Sequence, residues 1–238
     1  MLYYAIAIFV VSALTLLELR LGAPPGNRLL NIQIWAVRVA LALLLLPLVT
    51  LSAPYSLIEG SAMWWPLAFL VFLLVMDLGE YLFHRAQHAI PWLWTLHSVH
   101  HSDPEMNATT TERHFWGDQF IKAVTIWPAA AFIIRPTPLV LGAYMMMGLW
   151  NYLSHSRVPL NFGRWSWLLN SPAYHRRHHS SLPEHYDSNF AAILPIFDVI
   201  AGSYNQPERS MPPTGLEWKP RNLLDALSLR SAKIPASQ

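Results

Sequence analysis

The chain contains no cysteine among its 238 residues. It therefore cannot form disulfide bonds, thiolate zinc sites, cysteine-ligated iron–sulfur clusters or a thiolate haem ligand. Charged residues are also scarce, at 13% of the chain, and the formal net charge is +2. Because the basic residues are scattered among apolar segments and form no stripe, we expect no nucleic-acid partner.

Apolar residues, in contrast, are abundant. They make up 53% of the chain, whose mean hydropathy is +0.28, and this balance is typical of membrane proteins. Long apolar runs cover residues 2 to 19, 29 to 51 and 62 to 83, and each is long enough for a hydrocarbon core of about 30 Å. The first run lacks a basic leading segment, so we interpret it as a membrane helix and not as a cleaved signal peptide.

Two shorter apolar stretches follow, at about 120 to 134 and 139 to 153, separated by RPTP. At 1.5 Å per residue each covers about 22 Å, less than the hydrocarbon thickness. They are interpreted either as a re-entrant hairpin or as two short membrane helices. Both alternatives return the chain to the side where the hairpin began, so residues 84 to 101 and 155 to 179 are expected to share one membrane face.

Basic residues suggest which face this is. The opposite loops offer mainly Glu59 and Arg135, so the positive-inside rule predicts that the face with the histidines is cytoplasmic. Arg38 interrupts the second apolar run and is expected either to snorkel or to face a protein interior. The arginines assigned to the histidine face are Arg20, Arg28, Arg85, Arg113, Arg157, Arg164, Arg176 and Arg177.

The histidines carry the chemistry. On a helix, residues three or four positions apart share one face, so groups with this spacing present several imidazoles together. A metal site uses about three or four protein ligands, so eight clustered histidines predict two metal ions. Imidazole suits iron, zinc, copper and nickel, and does not by itself choose among them. The eight are His84 and His88 in HRAQH, His97, His100 and His101 in HSVHH, and His175, His178 and His179 in HRRHH.

Other polar residues are weighed against these groups. His155 in NYLSH is predicted to be a ninth ligand, whereas His114 and His185 fit roles beside the centre or facing solvent equally well. A carboxylate can accept the second ring N–H of a metal-bound histidine and fix its orientation. The candidates for this role are Asp77, Glu80 and Asp103.

In this order, HRAQH, HSVHHSDPEMNATTTERH, NYLSH and PAYHRRHHSSLPEHYDSNF resemble the fatty acid hydroxylase superfamily, and in particular its sterol desaturase branch. The resemblance covers about residues 70 to 205. It implies an integral membrane oxidoreductase whose histidine-bound di-metal centre, taken as di-iron, activates O2 to hydroxylate or desaturate lipid C–H bonds. It also implies that the eight grouped histidines and His155 are the ligands. Some members have a histidine four residues before the last of these, where this chain has Asn151, which leaves nine ligands or fewer.

The predicted fold class is all-α, an integral membrane helical bundle of about four or five membrane helices, hairpin included, with a cytoplasmic histidine-rich cap. Residues 1–60 are expected to form N-terminal membrane helices without a family motif. Residues 61–205 would be the hydroxylase- or desaturase-like catalytic domain, and residues 206–238 a cytoplasmic tail.

The resemblance also sets the expected cofactors and partners. These are two Fe ions, with Zn as a possible replacement, O2 as co-substrate and a lipid substrate from the bilayer. The chain has no dinucleotide fingerprint or haem signature, so a separate cytochrome- or ferredoxin-type donor protein is expected to supply electrons. Arg85, Arg176 and Arg177 would either dock that donor or pair with Asp103, Glu105 or lipid headgroups. Because IPASQ is not a retention signal of the KDEL type, a bacterial plasma membrane is favoured over the endoplasmic reticulum.

Two other functions use the same histidines. A di-zinc membrane hydrolase would activate water, but the groups contain no clear carboxylate to act as general base. A metal transporter or sensor would be non-enzymatic, but transport sites usually lie near the bilayer midplane, and these groups are at helix ends. Hydroxylation and desaturation remain equally compatible with the residues.

Overall fold

The computed structural model describes residues 2–51, 53–59, 64–208 and 210–229. Within these ranges the protein is all-helical, with ten α-helices and no β-strand, which confirms the predicted fold class. Part of the third apolar run, Ala62 and Met63, lies outside the described residues.

Three helices account for the long apolar runs: α1 (Leu2–Arg20), α2 (Arg28–Thr50) and α3 (Trp65–Ala89). All three are long and apolar enough to cross a membrane, in agreement with the prediction. Helix α3 continues past the apolar run that ends at residue 83. His84 and His88 are therefore carried on the same rigid helix that spans the bundle.

The two shorter apolar stretches form a hairpin. Its first arm consists of α5 (Trp116–Val124) and α6 (Ile126–Ile133), and its second arm is α7 (Pro138–Ser154). At the tip, Ile134 pairs with Ile58 in the loop that joins α2 to α3. Because α3 runs from this loop to the histidines, the hairpin reaches the opposite end of the bundle and returns. Both histidine segments therefore lie at one end of the bundle; that this end corresponds to one membrane face stays a prediction.

Shorter helices build a cap over that end. Helix α4 starts directly after α3, with Pro91 in its first turn, a position where the missing N–H of proline costs no hydrogen bond. At the start of α8 the Ser171 hydroxyl accepts a hydrogen bond from the Tyr174 amide at 3.2 Å, which caps the helix. The cap helices are α4 (Pro91–His101), α8 (Pro172–His178), α9 (Ile196–Ala201) and α10 (Leu223–Ser228), with a 3-10 helix at Ala108–Glu112.

Four clusters of buried apolar residues lie among the described residues, and the two largest hold the bundle and the cap together. One lies inside the bundle and joins α3, α6 and α7, with Phe72, Met76 and Met147 among its buried members. The other lies in the cap, where Trp218 and Ala226 pack with Ile34, Val99 and Phe115. The described part of the C-terminal segment is therefore packed onto the cap and onto α2.

Candidate metal centre

Four helices deliver the nine predicted histidines to one place. Helix α3 carries His84 and His88, and α4 carries the three histidines of HSVHH near its end. His155 directly follows α7. Helix α8 carries His175 and His178, with His179 at its C-cap.

The nine histidines form two separate groups, and within each the candidate ligand nitrogens all lie within 4.8 Å of one another. HSVHH and HRRHH each contribute to both groups, so the sequence motifs do not correspond one to one with the groups. The five-histidine group consists of His84, His88, His97, His101 and His178. The four-histidine group consists of His100, His155, His175 and His179.

Ring nitrogens within each group are close together. In the five-histidine group, His101 Nε2 lies 3.2 Å from His88 Nε2 and 3.1 Å from His178 Nε2. In the four-histidine group, His155 Nε2 lies 3.1 Å from His100 Nε2 and 3.0 Å from His175 Nε2. Two nitrogens bound at about 2.1 Å to one ion are about 3 Å apart when they subtend roughly a right angle at it. The observed separations therefore fit a shared metal ion in each group.

Backbone carbonyls orient several of the rings. The Nδ1 atoms of His84, His155 and His178 donate to the carbonyls of Phe190, Asn151 and Ser188 at 2.7, 2.8 and 2.8 Å. A ring that donates through Nδ1 presents the Nε2 lone pair on its other side. Where two Nε2 lone pairs face each other at such short distances, they repel one another unless a cation lies between them.

Some ring nitrogens have no hydrogen-bond partner within the described part of the chain. His84 Nε2 and both ring nitrogens of His97 are buried and lack such a partner. An unpaired buried polar atom costs about 1–3 kcal/mol, and a metal ion would remove that cost for a coordinating nitrogen. The donor set of the chain thus fits two metal ions.

Burial keeps the imidazoles neutral. It lowers the pKa of His97, His100 and His101 well below the usual value, and neighbouring imidazoles lower these pKa values further. The pKa of His155 is lowered by burial to about 4. Because only a neutral imidazole can bind a metal, these histidines are in a binding-competent state at neutral pH.

The three predicted carboxylates contact other groups. Asp77 accepts the backbone N–H groups of Ile193 and Leu194 at 2.9 and 2.7 Å, and Glu80 pairs with Lys122. The Asp103 carboxylate accepts hydrogen bonds from Asn31 and Thr110 at 3.0 and 2.7 Å. The role expected for these carboxylates, holding the second ring nitrogen, is filled for His84, His155 and His178 by backbone carbonyls.

The two outlying histidines occupy different positions. His114 stacks on His100 with ring centroids 4.0 Å apart, and its Nδ1 lies 3.4 Å from an oxygen of Asp118. His114 and Asp118 form, together with His97, a third cluster that could hold a metal. His185 contacts the Ser180 hydroxyl at 2.8 Å. Sequence analysis missed Asp118, although its spacing of four residues from His114 on a helix start would have indicated the contact.

Polar residues of the N-terminal helices support the cap; sequence analysis missed Glu18 and the partners of Arg38. The fully buried Glu18 accepts the backbone N–H groups of Ala108 and Arg157, both at 2.9 Å, and pairs with Arg28 at 2.9 Å. Arg38 does not snorkel: it faces the interior and pairs with Glu112 at 2.6 Å. Residues distant in sequence make these contacts, so no local pattern indicated them.

The arginines expected to dock an electron donor are not all at the surface. Arg176 is 4% exposed and donates to the carbonyls of Pro212 and Met106. It therefore stabilises the cap and is too buried to dock a donor, which was one of the two roles expected for it. Arg177 contacts Asn205 at 2.8 Å.

Comparisons with known proteins place this arrangement in context. The fatty acid hydroxylase family model matches residues 69–203. The chain is 35% identical to alkylglycerol monooxygenase of Xenopus tropicalis over 153 residues, which cover 63% of the chain and 33% of that protein. It is 28% identical to ornithine lipid hydroxylase OlsE of Rhizobium tropici over 147 residues, which cover 61% of the chain and 44% of that protein. The matched region thus spans less than half the length of either relative. No solved structure matches.

Proposed function

The chain belongs to the fatty acid hydroxylase family, and from this membership we propose that it is a membrane-bound, O2-dependent lipid hydroxylase. The observation that carries the proposal is the convergence of nine histidines into two groups at one end of three apolar helices. In this proposal the nine histidines hold two iron ions. Zinc is expected to replace iron when the metal supply favours it, because imidazole binds both.

Iron bound by these histidines would supply the redox chemistry that activates O2 for attack on an unactivated C–H bond. In the overall reaction one oxygen atom enters the new C–OH group and the other leaves as water; a donor protein supplies the two electrons, and the two protons come from the solvent. Hydroxylation is favoured over desaturation because the matched relatives are named as a monooxygenase and a hydroxylase. The same names favour oxidation over zinc-dependent hydrolysis or metal transport.

The contribution of the protein is to orient the rings and exclude water. The carbonyls of Phe190, Asn151 and Ser188 hold three rings with their lone pairs directed into the groups. Trp94 and Phe190 pack against the ring of His88 with centroids 5.0 and 5.1 Å away. These apolar rings shield the five-histidine group from bulk water and fix the ligand positions before substrate arrives.

The substrate we propose is a lipid that offers a saturated alkyl chain. An open groove of about 380 Å³ lies between the end of α2 and the hairpin. Lys122 precedes the groove-lining Ala123 in the sequence and pairs with Glu80, one helical turn before His84, and on this basis we propose that the alkyl chain approaches the metal centre from this groove. The residues that line it are Leu48, Leu51, Ala123, Val124 and Pro128, and all five suit a hydrocarbon chain.

The proposal includes a setting and a partner. The histidine cap faces the cytoplasm of a bacterial cell, where a separate donor protein of the cytochrome or ferredoxin type can reach it. Arg85 and Arg177 remain candidates for the docking face of this donor. The charge bias of the loops supports this orientation.

The test is oxygen incorporation into lipids. Membranes from iron-replete cells that express the chain are supplied with reductant, isotope-labelled O2 and either an alkylglycerol or an ornithine lipid. We expect one labelled oxygen atom in a product hydroxyl group, detected by mass spectrometry of the lipid extract. The matched control carries His178→Ala and His179→Ala, which remove one ligand from each group.

Each other outcome has a defined meaning. A product that has lost two hydrogens without gaining label would show that the protein desaturates its substrate and does not hydroxylate it. Label present in both the wild type and the double variant would assign the reaction to another protein. Hydrolysed lipid with two zinc ions per chain would overturn the oxidative proposal.

A further inference from the structure

One short turn lies behind three of the five histidines of the five-histidine group. We name it the 187–190 turn. Its Phe190 carbonyl accepts the hydrogen bond from His84 at 2.7 Å, and its Ser188 carbonyl accepts that from His178 at 2.8 Å. Its first residue, Asp187, places a carboxylate oxygen 3.6 Å from His88 Nδ1. Three of these four consecutive residues thus contact rings from two helices, α3 and α8.

The backbone of the turn is in a conformation that most residues avoid. Asp187 and Asn189 have φ values of 53° and 60°, which lie in the left-handed region that costs a non-glycine residue free energy. Such a conformation persists only where the surroundings enforce it. Here the buried Asn189 side chain donates to the carbonyl of Asn205 at 2.8 Å and accepts its N–H at 2.7 Å. The Phe190 N–H donates to Asp198 at 2.9 Å.

The four-histidine group has no equivalent support in the described part of the chain. His155 donates to the carbonyl of Asn151, one turn earlier at the end of its own helix, at 2.8 Å. The Nδ1 atoms of His100 and His175 are buried without a hydrogen-bond partner among the described residues, as are those of His97 and His101 in the five-histidine group; the difference is that no residue of the 187–190 turn contacts a ring of the four-histidine group in the contacts described. The 187–190 turn therefore acts on one group and not on the other.

Asp187 differs from the two carbonyls because it is charged and exposed. Its side chain is 61% exposed, whereas that of His88 is 2% exposed. A separation of 3.6 Å is slightly too long for a hydrogen bond, but it is short enough for the carboxylate charge to attract a ring N–H. A carboxylate at the outer nitrogen of a metal-bound histidine orients the ring and makes it a stronger donor to the metal.

We propose that the 187–190 turn is the positioning element of the five-histidine group, and that Asp187 is a positioning residue that strengthens metal binding through His88. This inference rests on the proposed function, because it assumes that both groups hold metal. It predicts two unequal sites. The metal in the five-histidine group depends on the charge of Asp187, and the metal in the four-histidine group does not.

The test is metal release from the full chain, purified in detergent and loaded with ferrous iron without oxygen. A ferrous chelator in excess is added, and iron release is followed over time. In Asp187→Asn we expect one of two release phases to become about 10- to 100-fold faster, the usual effect of losing such an outer partner. The other phase should change less than about twofold. Asparagine tolerates the left-handed conformation, so this substitution removes the charge and keeps the turn.

Two further variants assign the effect. Glu184→Gln removes an exposed carboxylate from the same loop and should leave both phases unchanged. His155→Ala removes a ligand from the four-histidine group and should abolish the release phase that Asp187→Asn leaves alone. The midpoint potential of one iron should also rise in Asp187→Asn, because a nearby negative charge that stabilises the ferric state is lost. A purely structural role of Asp187 would not move the potential.

The results separate the two proposals. If the wild type holds two irons and hydroxylates lipid while Asp187→Asn releases both at wild-type rates, the role of Asp187 is wrong and the proposed function stands. Equal acceleration of both phases would show general loosening of the cap and would also overturn the inference. A wild type that binds no stoichiometric metal would overturn both proposals.

Discussion

His155 has a central place in the four-histidine group, because its Nε2 atom contacts the Nε2 atoms of both His100 and His175. His155→Ala should therefore lower the metal content of the purified protein from two ions to one. Elemental analysis of protein from iron-replete cells measures this. His185→Ala is the matched control, since His185 belongs to neither group and its loss should leave two ions. Two ions retained in His155→Ala would remove this residue from the ligand set.

The buried histidines also predict how stability depends on pH. Burial lowers the folded-state pKa of His155 to about 4, below the unfolded value of about 6.5, so the unfolded chain binds more protons between these values. The free energy of unfolding of the metal-free protein should then be highest above about pH 6.5 and should fall as the pH decreases towards about 4. Melting temperatures of chelator-treated protein across this range measure the effect. A melting temperature that stays constant over the window would contradict it.

At the scale of elements, the first arm of the hairpin contains a helix break that the apolar pattern did not predict. The stretch at 120 to 134 was interpreted as one segment, but the chain forms α5 and α6 with a break at Thr125. Proline cannot donate to the carbonyl four residues earlier and clashes with it. Pro128 therefore disfavours a helix that continues through Val124, where α5 ends. The break could have been predicted from Pro128. That Pro128 also lines a groove with Leu48 and Leu51 depends on tertiary packing, which the local sequence does not reveal.

The groove gives a prediction for the hairpin. Val124→Trp should fill part of it and lower kcat/KM for a long-chain lipid by about tenfold or more, because the alkyl chain loses its space. The metal content should stay at the wild-type value, since Val124 lies outside both histidine groups. Leu141→Trp is the control, because Leu141 is 52% exposed on α7 and is not among the groove-lining residues. Equal losses in both variants would assign the effect to bulk at the lipid-facing surface.

At the scale of the whole molecule, Glu18 connects the N-terminal helices to the cap. It is fully buried and contacts two backbone N–H groups and Arg28. Breaking a buried ion pair from one side costs about 3–5 kcal/mol, and glutamine can still accept one hydrogen bond. Glu18→Gln should therefore lower the free energy of unfolding by about 3 kcal/mol, measured by denaturant titration in detergent.

A matched surface pair provides the control for Glu18. Glu59 pairs with Arg135 at 2.9 Å at the opposite end of the bundle, and the two side chains are 49% and 44% exposed. Exposed pairs contribute about 0–1 kcal/mol, so Glu59→Gln should have little effect. Similar losses in both variants would show that Glu18 does not hold the cap.

The sequence predicted the all-helical class, the three apolar helices and the meeting of the histidine segments, because each depends on local spacing or on the parity of membrane crossings. It did not predict how HSVHH is divided, with His97 and His101 in one group and His100 in the other. That division depends on where α7 and α8 meet α4. The partners of Glu18 and Arg38 were also beyond local patterns, since Arg38 and Glu112 are 74 positions apart.

The division of HSVHH makes α4 a mechanical link between the two groups. His97 and His101 contribute to one group and His100 to the other, so both metal positions depend on the orientation of this one short helix. A substitution that reorients α4 should therefore disturb both groups at once.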